Sequence, residues 1–149
     1  MEPKVVLLVE DNDDDIELTL RSFKKHKFLH KVVLARDGQE ALDYLFCRGA
    51  YAGRDKSEMP VLILLDLKLP KIDGLEVLRQ IRAHPSTKYI PVVVLTTSSQ
   101  MTDKIQSYDE GANSYVRKPV DFDRFNEATR QLGIYWLIVN DPPPDGPNN

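Results

Sequence analysis

The chain has 149 residues, a length typical of one globular domain with a substantial core. Apolar residues make up 42% and charged residues 29%, which is ordinary for a soluble globular protein. The net charge of −3 argues against nucleic acid or an anionic membrane as partner, and no apolar stretch approaches the length of a bilayer span. The single cysteine, Cys47, excludes an internal disulfide and fits a reducing compartment, so we expect a cytoplasmic protein.

Short apolar runs alternate with amphipathic segments along the chain. Three of the runs are apolar at nearly every position, which is typical of parallel strands buried on both faces. The alternation predicts a doubly wound α/β sheet with five strands and five helices. In chain order the predicted strands are Val5 to Glu10, Lys31 to Ala35, Val61 to Asp66, Pro91 to Thr96 and Asn113 to Lys118. The helices between and after them are marked by apolar residues from Ile16 to Phe23, Ala41 to Phe46, Leu75 to Arg82, Ile105 to Ala112 and Phe122 to Leu132. A polar loop, Arg48 to Met59, precedes the third strand.

The first two predicted helices differ in the residues that mark them. The first helix is marked by Ile16, Leu18, Leu20 and Phe23, and the three aspartates after Asn12 are predicted to lie in its first turn, where negative charge complements the helix dipole. Cys47 is placed on the second helix as a small buried hydrophobe.

Reactive side chains follow several of the strands at their carboxyl ends. Glu10 and Asp11 end the first strand and Asp66 ends the third. Ligands of open α/β sheets collect at this edge, so we expect the three carboxylates to converge there. Neighbouring carboxylates repel one another unless their charge is neutralised. A hard divalent cation that takes oxygen ligands, here Mg²⁺, would do so.

The same edge carries a hydroxyl and a cation. Thr96 ends the fourth strand and Lys118 ends the fifth. A metal site, a hydroxyl, a lysine and a carboxylate able to act as nucleophile are the parts that phosphoryl transfer needs.

Four motifs in this order, LLVEDN, LLDLKLPKIDG, VVVLTTS and SYVRKP, identify a family. Over Lys4 to about Leu132 the chain resembles the receiver domain of two-component response regulators, the CheY-like family. The resemblance implies strand order 2-1-3-4-5 and a protein that is no enzyme toward a separate substrate, catalysing only its own phosphoryl transfer and autodephosphorylation.

The resemblance also implies a role for each matching residue. Asp66 is the phosphoacceptor and becomes a 4-aspartylphosphate, taking the phosphoryl group from a sensor histidine kinase. Mg²⁺, or Mn²⁺, is held by Glu10, Asp11, Asp66 and the backbone carbonyl of Lys68.

Three further positions are expected to respond to the phosphoryl group. Thr96 supplies a hydroxyl to that group, while Lys118 pairs with Asp66 or its phosphate. Tyr115 is the aromatic switch that turns inward as Thr96 moves. The bond between Lys118 and Pro119 is expected to be cis.

The long loop and the tail IYWLIVNDPPP look like the single-domain regulators paired with bacterial phytochrome histidine kinases. We expect a receiver domain at residues 1–132 and an apolar extension with a Pro-rich tail at 133–149, with no output domain. Aromatic anchors are enriched at protein interfaces, so Tyr135, Trp136 and Leu137 are predicted to form part of a homodimer surface. The alternative is that this apolar segment packs on its own domain as an extension of the last helix.

Alternatives from other classes are weaker. A phosphorylation-independent binding scaffold would not need Glu10, Asp11, Asp66, Thr96 and Lys118 together. An aspartate-dependent phosphatase would need a second aspartate where Lys68 stands. A flavin carrier would need a phosphate-cradling loop after the first strand, but that loop is acidic.

Overall fold

The computed structural model describes residues 4–26, 30–98 and 100–118 together with Glu127, Arg130 and Gln131, which are helical. The other elements in this part of the chain are β1 (Lys4–Val9), α1 (Asp13–His26), β2 (His30–Ala35), α2 (Gly38–Leu45), β3 (Leu62–Leu65), α3 (Gly74–Ala83), β4 (Val92–Thr96), α4 (Met101–Asp109) and β5 (Ser114–Arg117). Every predicted strand is present, with each end within one residue of the prediction. The rest of the predicted fifth helix, Pro119 and the tail at 133–149 lie outside the described residues.

The five strands form one parallel sheet in the order β2-β1-β3-β4-β5, which confirms the predicted fold and strand order. The registers align the carboxyl ends of neighbouring strands, since Val9 lies beside both Ala35 and Leu65, and Thr96 lies beside Arg117. Residues that directly follow the strands therefore meet at one edge.

Apolar side chains on both faces of the sheet account for the continuous apolar runs. Leu7 and Val9 of β1 belong to the larger core, with buried residues of α2 and α3, whereas Val6 and Leu8 point to the opposite face and pack with Phe23 of α1. Strands buried on both faces lose the polar alternation of a half-exposed strand.

The orientation of α1 differs from the prediction. Leu20, taken as a marker of the buried face, is 38% exposed, whereas Thr19 and Ser22 are buried. The buried face of α1 is therefore rotated from the one that the leucines indicated, and small polar residues form part of it.

The loop after α2 contains an ordered turn held by one arginine. Arg54 Nε donates to the Tyr44 carbonyl over 2.9 Å, its other nitrogens reach further carbonyls, and its guanidinium lies 4.2 Å from the centre of the Tyr44 ring. Because carbonyl groups at a helix end lack partners within the helix, the side chain caps α2.

Cys47 is buried as predicted, but its predicted position on the helix is wrong. It follows the end of α2 with φ of 54°, a left-handed conformation that terminates the helix. None of the helices in the described ranges combines the length and the apolar character that crossing a membrane requires.

Candidate functional site

The sheet brings the three predicted carboxylates together. Backbone hydrogen bonds to neighbouring strands fix the positions of two of them. The Glu10 amide donates to the Ala35 carbonyl and the Asp66 amide donates to the Val9 carbonyl, each over 3.0 Å. Glu10 and Asp66 are buried and Asp11 is exposed. One carboxylate oxygen from each lies within 4.8 Å of the other two.

Two glycines hold the loop that follows Asp66 against the rest of the domain. A Cβ on Gly74 would lie 2.3 Å from the Asp66 carbonyl oxygen, and a Cβ on Gly38 would lie 2.0 Å from that of Ile72. The Gly74 amide also donates to the Leu67 carbonyl over 2.8 Å. Close backbone contact that only glycine permits therefore sets where the end of β3 stands.

Of the three carboxylates, Glu10 accepts the most hydrogen bonds among the described residues. Its Oε2 accepts from the amides of Asp11 and Asn12, at 3.1 and 3.3 Å, and its Oε1 accepts from Lys118 Nζ. Burial raises the pKa of Glu10 to about 7; the hydrogen bond from Lys118 opposes this rise and the nearby charge of Asp66 adds to it.

Lys118 is nearly inaccessible and pairs with Glu10 and with Asp15, whose Oδ2 lies 2.9 Å from Nζ. Burial disfavours its charge, but the hydrogen bonds that the ammonium group donates to these two carboxylates, together with the nearby negative charges, outweigh burial and raise the pKa of Lys118. Among the described residues the ion-pair partners of Lys118 are Glu10 and Asp15, not Asp66, although the charge of Asp66 acts on the lysine as well. The predicted contact with a phosphoryl group stays a prediction.

Asp66 retains an acceptor without a partner. Its Oδ1 is buried and accepts no hydrogen bond within the described ranges. A buried anionic oxygen without a partner is costly, and clustered oxygen donors suit a hard divalent cation. The residues present therefore fit a divalent metal, with Glu10, Asp11 and Asp66 as its carboxylate ligands.

Comparison with known proteins decides the family. Residues 6–130 match the model of the response regulator receiver domain. This chain belongs to that family.

Three relatives of this receiver domain are similar over nearly their whole length. Response regulator Rcp1 of Synechocystis sp. is 42% identical over 91% of this chain and 90% of its own, and "Probable methanogenesis regulatory protein FilR2" of Methanothrix harundinacea is 41% identical over 95% and 89%. The crystal structure of the phosphorylated cyanobacterial phytochrome response regulator RcpA gives a TM-score of 0.86 at 41% identity, over 95% of this chain and 99% of RcpA. The Mn²⁺-bound form of Rcp1 also gives a TM-score of 0.86, at 39% identity, over 95% and 100%. A divalent metal in that relative agrees with the acidic cluster of this receiver domain.

Hydrogen bonds through Ser98 connect the Thr96 hydroxyl of the receiver domain to Tyr115 and to α4. Thr96 is buried, and its Oγ1 accepts from the Ser98 amide over 3.4 Å. The Tyr115 hydroxyl donates to the Ser98 carbonyl over 2.9 Å, and the Ser98 hydroxyl donates to Asp103 of α4 over 2.5 Å. Ser98 therefore lies between both predicted switch residues and the first turn of α4.

Two residues of this network were missed from the sequence. Asp15 was predicted only to complement the helix dipole, yet it contacts Lys118. Asp103 was not singled out. No clear signal for Asp15 exists in the sequence, because the face of α1 that it shares with Thr19 and Ser22 is polar in sequence and is buried only in the structure. The predicted surface residues Tyr135, Trp136 and Leu137 lie outside the described residues.

Proposed function

We propose that this receiver domain accepts a phosphoryl group on Asp66. The observation that carries the proposal is the buried Oδ1 of Asp66, which has no hydrogen-bond partner among the described residues. It lies beside Glu10 and Asp11, at an edge that Thr96 and Lys118 also reach. This arrangement provides a nucleophile, oxygen ligands for a metal and two donors for a transferred group.

In the proposed reaction an Asp66 carboxylate oxygen attacks the phosphorus of a phosphohistidine. The P–O bond forms as the P–N bond breaks, and the departing imidazole keeps the bonding electrons and takes up a proton. Lys118 and Thr96 donate to the phosphoryl oxygens, where negative charge is concentrated. Hydrolysis of the acyl phosphate by water returns Asp66 to a carboxylate, so the domain turns over only its own phosphoryl group.

Mg²⁺ is the proposed metal, held by the three carboxylates and the backbone carbonyl of Lys68. When bound, it neutralises charge on the phosphoryl oxygens. The exposed position of Asp11 leaves one side of the site open to a phosphodonor. The Mn²⁺-bound form of Rcp1 supports binding of a divalent ion by this receiver domain.

The signal is proposed to leave the site through Thr96. Movement of its hydroxyl toward the phosphoryl group would break its contact with the amide of Ser98, whose carbonyl and hydroxyl groups contact Tyr115 and α4. Tyr115 is half-buried and packs against the larger core, so a movement of its ring would change the surface beside β5. The surface around α4 and β5 would then differ between the two states.

Phosphorylation is tested by incubating the protein with Mg²⁺ and acetyl phosphate and measuring the intact mass. We expect wild type to gain one phosphoryl group and Asp66→Asn to gain none. Asp14→Asn is the matched control, because it removes an exposed aspartate of the first turn of α1, and it should be labelled like wild type. Equal labelling of Asp66→Asn and wild type would contradict the assignment.

The phosphodonor is proposed to be a sensor histidine kinase of the phytochrome class. RcpA, a phytochrome response regulator that was solved in its phosphorylated form, supports this partner through its similarity over 95% of the chain. Transfer from an autophosphorylated phytochrome kinase should depend on the colour of light and should be lost in Asp66→Asn. Transfer at the same rate from an unrelated histidine kinase would argue against a phytochrome partner.

Homodimerisation is the proposed mode of output. Met101, Ile105 and Tyr108 of α4 are 67%, 52% and 47% exposed, and their spacing places them along one side of the helix. Such a side, together with the predicted surface at Tyr135 to Leu137, would suit a second copy. Light scattering should show a dimer, and Ile105→Lys and Trp136→Ala should each weaken it. The control variant Lys104→Ala should leave the dimer unchanged. A monomer at high concentration, with and without beryllofluoride, would contradict the proposed dimer.

A further inference from the structure

The position of Lys118 is set by an aspartate that the proposed reaction does not use. Lys118 Nζ donates to Glu10 and to Asp15 Oδ2, the second over 2.9 Å, and its side chain is 4% exposed. Asp66 Oδ1 meanwhile accepts nothing within the described ranges. The lysine expected to engage a phosphoryl group thus has two carboxylate partners away from Asp66.

Asp15 is placed there by the start of α1. Asn12 caps the helix by accepting the Asp15 amide over 2.9 Å, and the Asp15 carbonyl accepts the Thr19 hydroxyl over 2.8 Å. Of the three consecutive aspartates, Asp13 pairs with Arg36 at the surface and Asp14 is exposed, whereas the side chain of Asp15 is only 28% exposed. Because successive side chains point in different directions around a helix, Asp15 is the one of the three aspartates that faces Lys118.

We propose that Asp15 is a positioning residue that holds Lys118 in a resting position beside Glu10. This inference rests on the proposed phosphorylation of Asp66. A buried ammonium group needs anionic acceptors, so Lys118 can move to a phosphoryl oxygen only by giving up one that it already has. Glu10 lies at the proposed metal, and Asp15 is the more exposed of the two partners, so Asp15 is the one that is exchanged. Asp15 therefore competes with the phosphoryl group for Lys118 and lowers the stability of the phosphorylated state.

The competition predicts that removing the charge of Asp15 strengthens binding of a phosphoryl mimic. Affinity for beryllofluoride in the presence of Mg²⁺ should rise about tenfold in Asp15→Asn, the factor that corresponds to losing one charged hydrogen bond of modest strength. Asp14→Asn removes the same charge from the same helix turn without a contact to Lys118, and should change the affinity by less than about twofold. Asp15→Glu restores a carboxylate and should bring the affinity back toward wild type.

A second readout follows the lysine directly in the metal-free protein. The ¹⁵N resonance of the Lys118 ammonium group, assigned by its loss in Lys118→Met, should shift in Asp15→Asn and stay in place in Asp14→Asn. A general effect of charge or of helix stability would move both variants alike. Should Asp15→Asn not fold, Asp15→Ser supports the same two comparisons.

The outcomes separate this inference from the function on which it rests. If wild type does not bind beryllofluoride, or Asp66→Asn binds it equally well, the proposed phosphorylation is wrong. If wild type binds it through Asp66 but Asp15→Asn binds it no more tightly, or Asp14→Asn gains as much, phosphorylation stands and the role of Asp15 is refuted.

Discussion

Replacing Gly74 by alanine should damage both stability and phosphorylation. The new Cβ would lie 2.3 Å from the Asp66 carbonyl oxygen and 2.6 Å from the Leu67 Cα, so backbone must move by a large part of an ångström. Overpacking of this kind costs about 1–3 kcal/mol, while the better helix propensity of alanine and its less flexible unfolded chain recover up to about 1 kcal/mol. The expected net loss is about 1.5 kcal/mol, which lowers Tm by roughly 4 °C in a chain of this size.

The assay combines urea unfolding with the rate of phosphorylation by acetyl phosphate. The rate should fall as well, because the displaced atoms include the backbone of Asp66 itself. Gly53→Ala is the control, since a Cβ there would meet nothing within 4 Å, and it should retain the wild-type stability and rate. Finding Gly74→Ala as stable and as reactive as Gly53→Ala would refute the argument that close backbone contact positions Asp66.

Three further predictions concern the loop after α2, α4 and the metal. Arg54→Met should lower the free energy of unfolding by about 2 kcal/mol in urea titrations, because it loses charged hydrogen bonds and a cation–π contact, whereas the exposed Lys56→Met should not. Ser98→Ala removes the hydroxyl bond to Asp103, worth about 1 kcal/mol, and should speed amide exchange in α4; unchanged exchange would contradict the connection. The raised pKa of Glu10, about 7, means that a proton competes with the metal below that pH, so Mn²⁺ affinity should rise as pH increases to about 7 and then level off. Glu10→Gln should remove this rise, and an equally steep rise in that variant would assign it to another group.

The sheet and the carboxylate cluster could be predicted because each depends on a local pattern. Continuous apolar runs indicate buried parallel strands, and the residue after each run lies at the ligand-binding edge whatever the details of packing. Glu10, Asp11 and Asp66 follow from that rule alone, and the structure places them within 4.8 Å of one another.

The partners of Lys118 could not be predicted in the same way. They depend on the rotation of α1 about its axis, and a single helix step turns a side chain by more than a quarter of a circle. The apolar residues of α1 gave a weak indication of that rotation, because Thr19 and Ser22 are buried while Leu20 is partly exposed. The resting position of Lys118 is a property of tertiary packing, since its two partners come from the other end of the chain.

The hydrogen bond between Glu10 and Lys118 joins positions 108 residues apart in the chain. Contacts of such long separation cost more loop entropy to close than local contacts do. A nascent chain in which β5 has not yet joined the sheet thus has its aspartate but not its lysine. On the proposed function, such a molecule would lack one donor to the phosphoryl oxygens, so full reactivity would require the complete sheet.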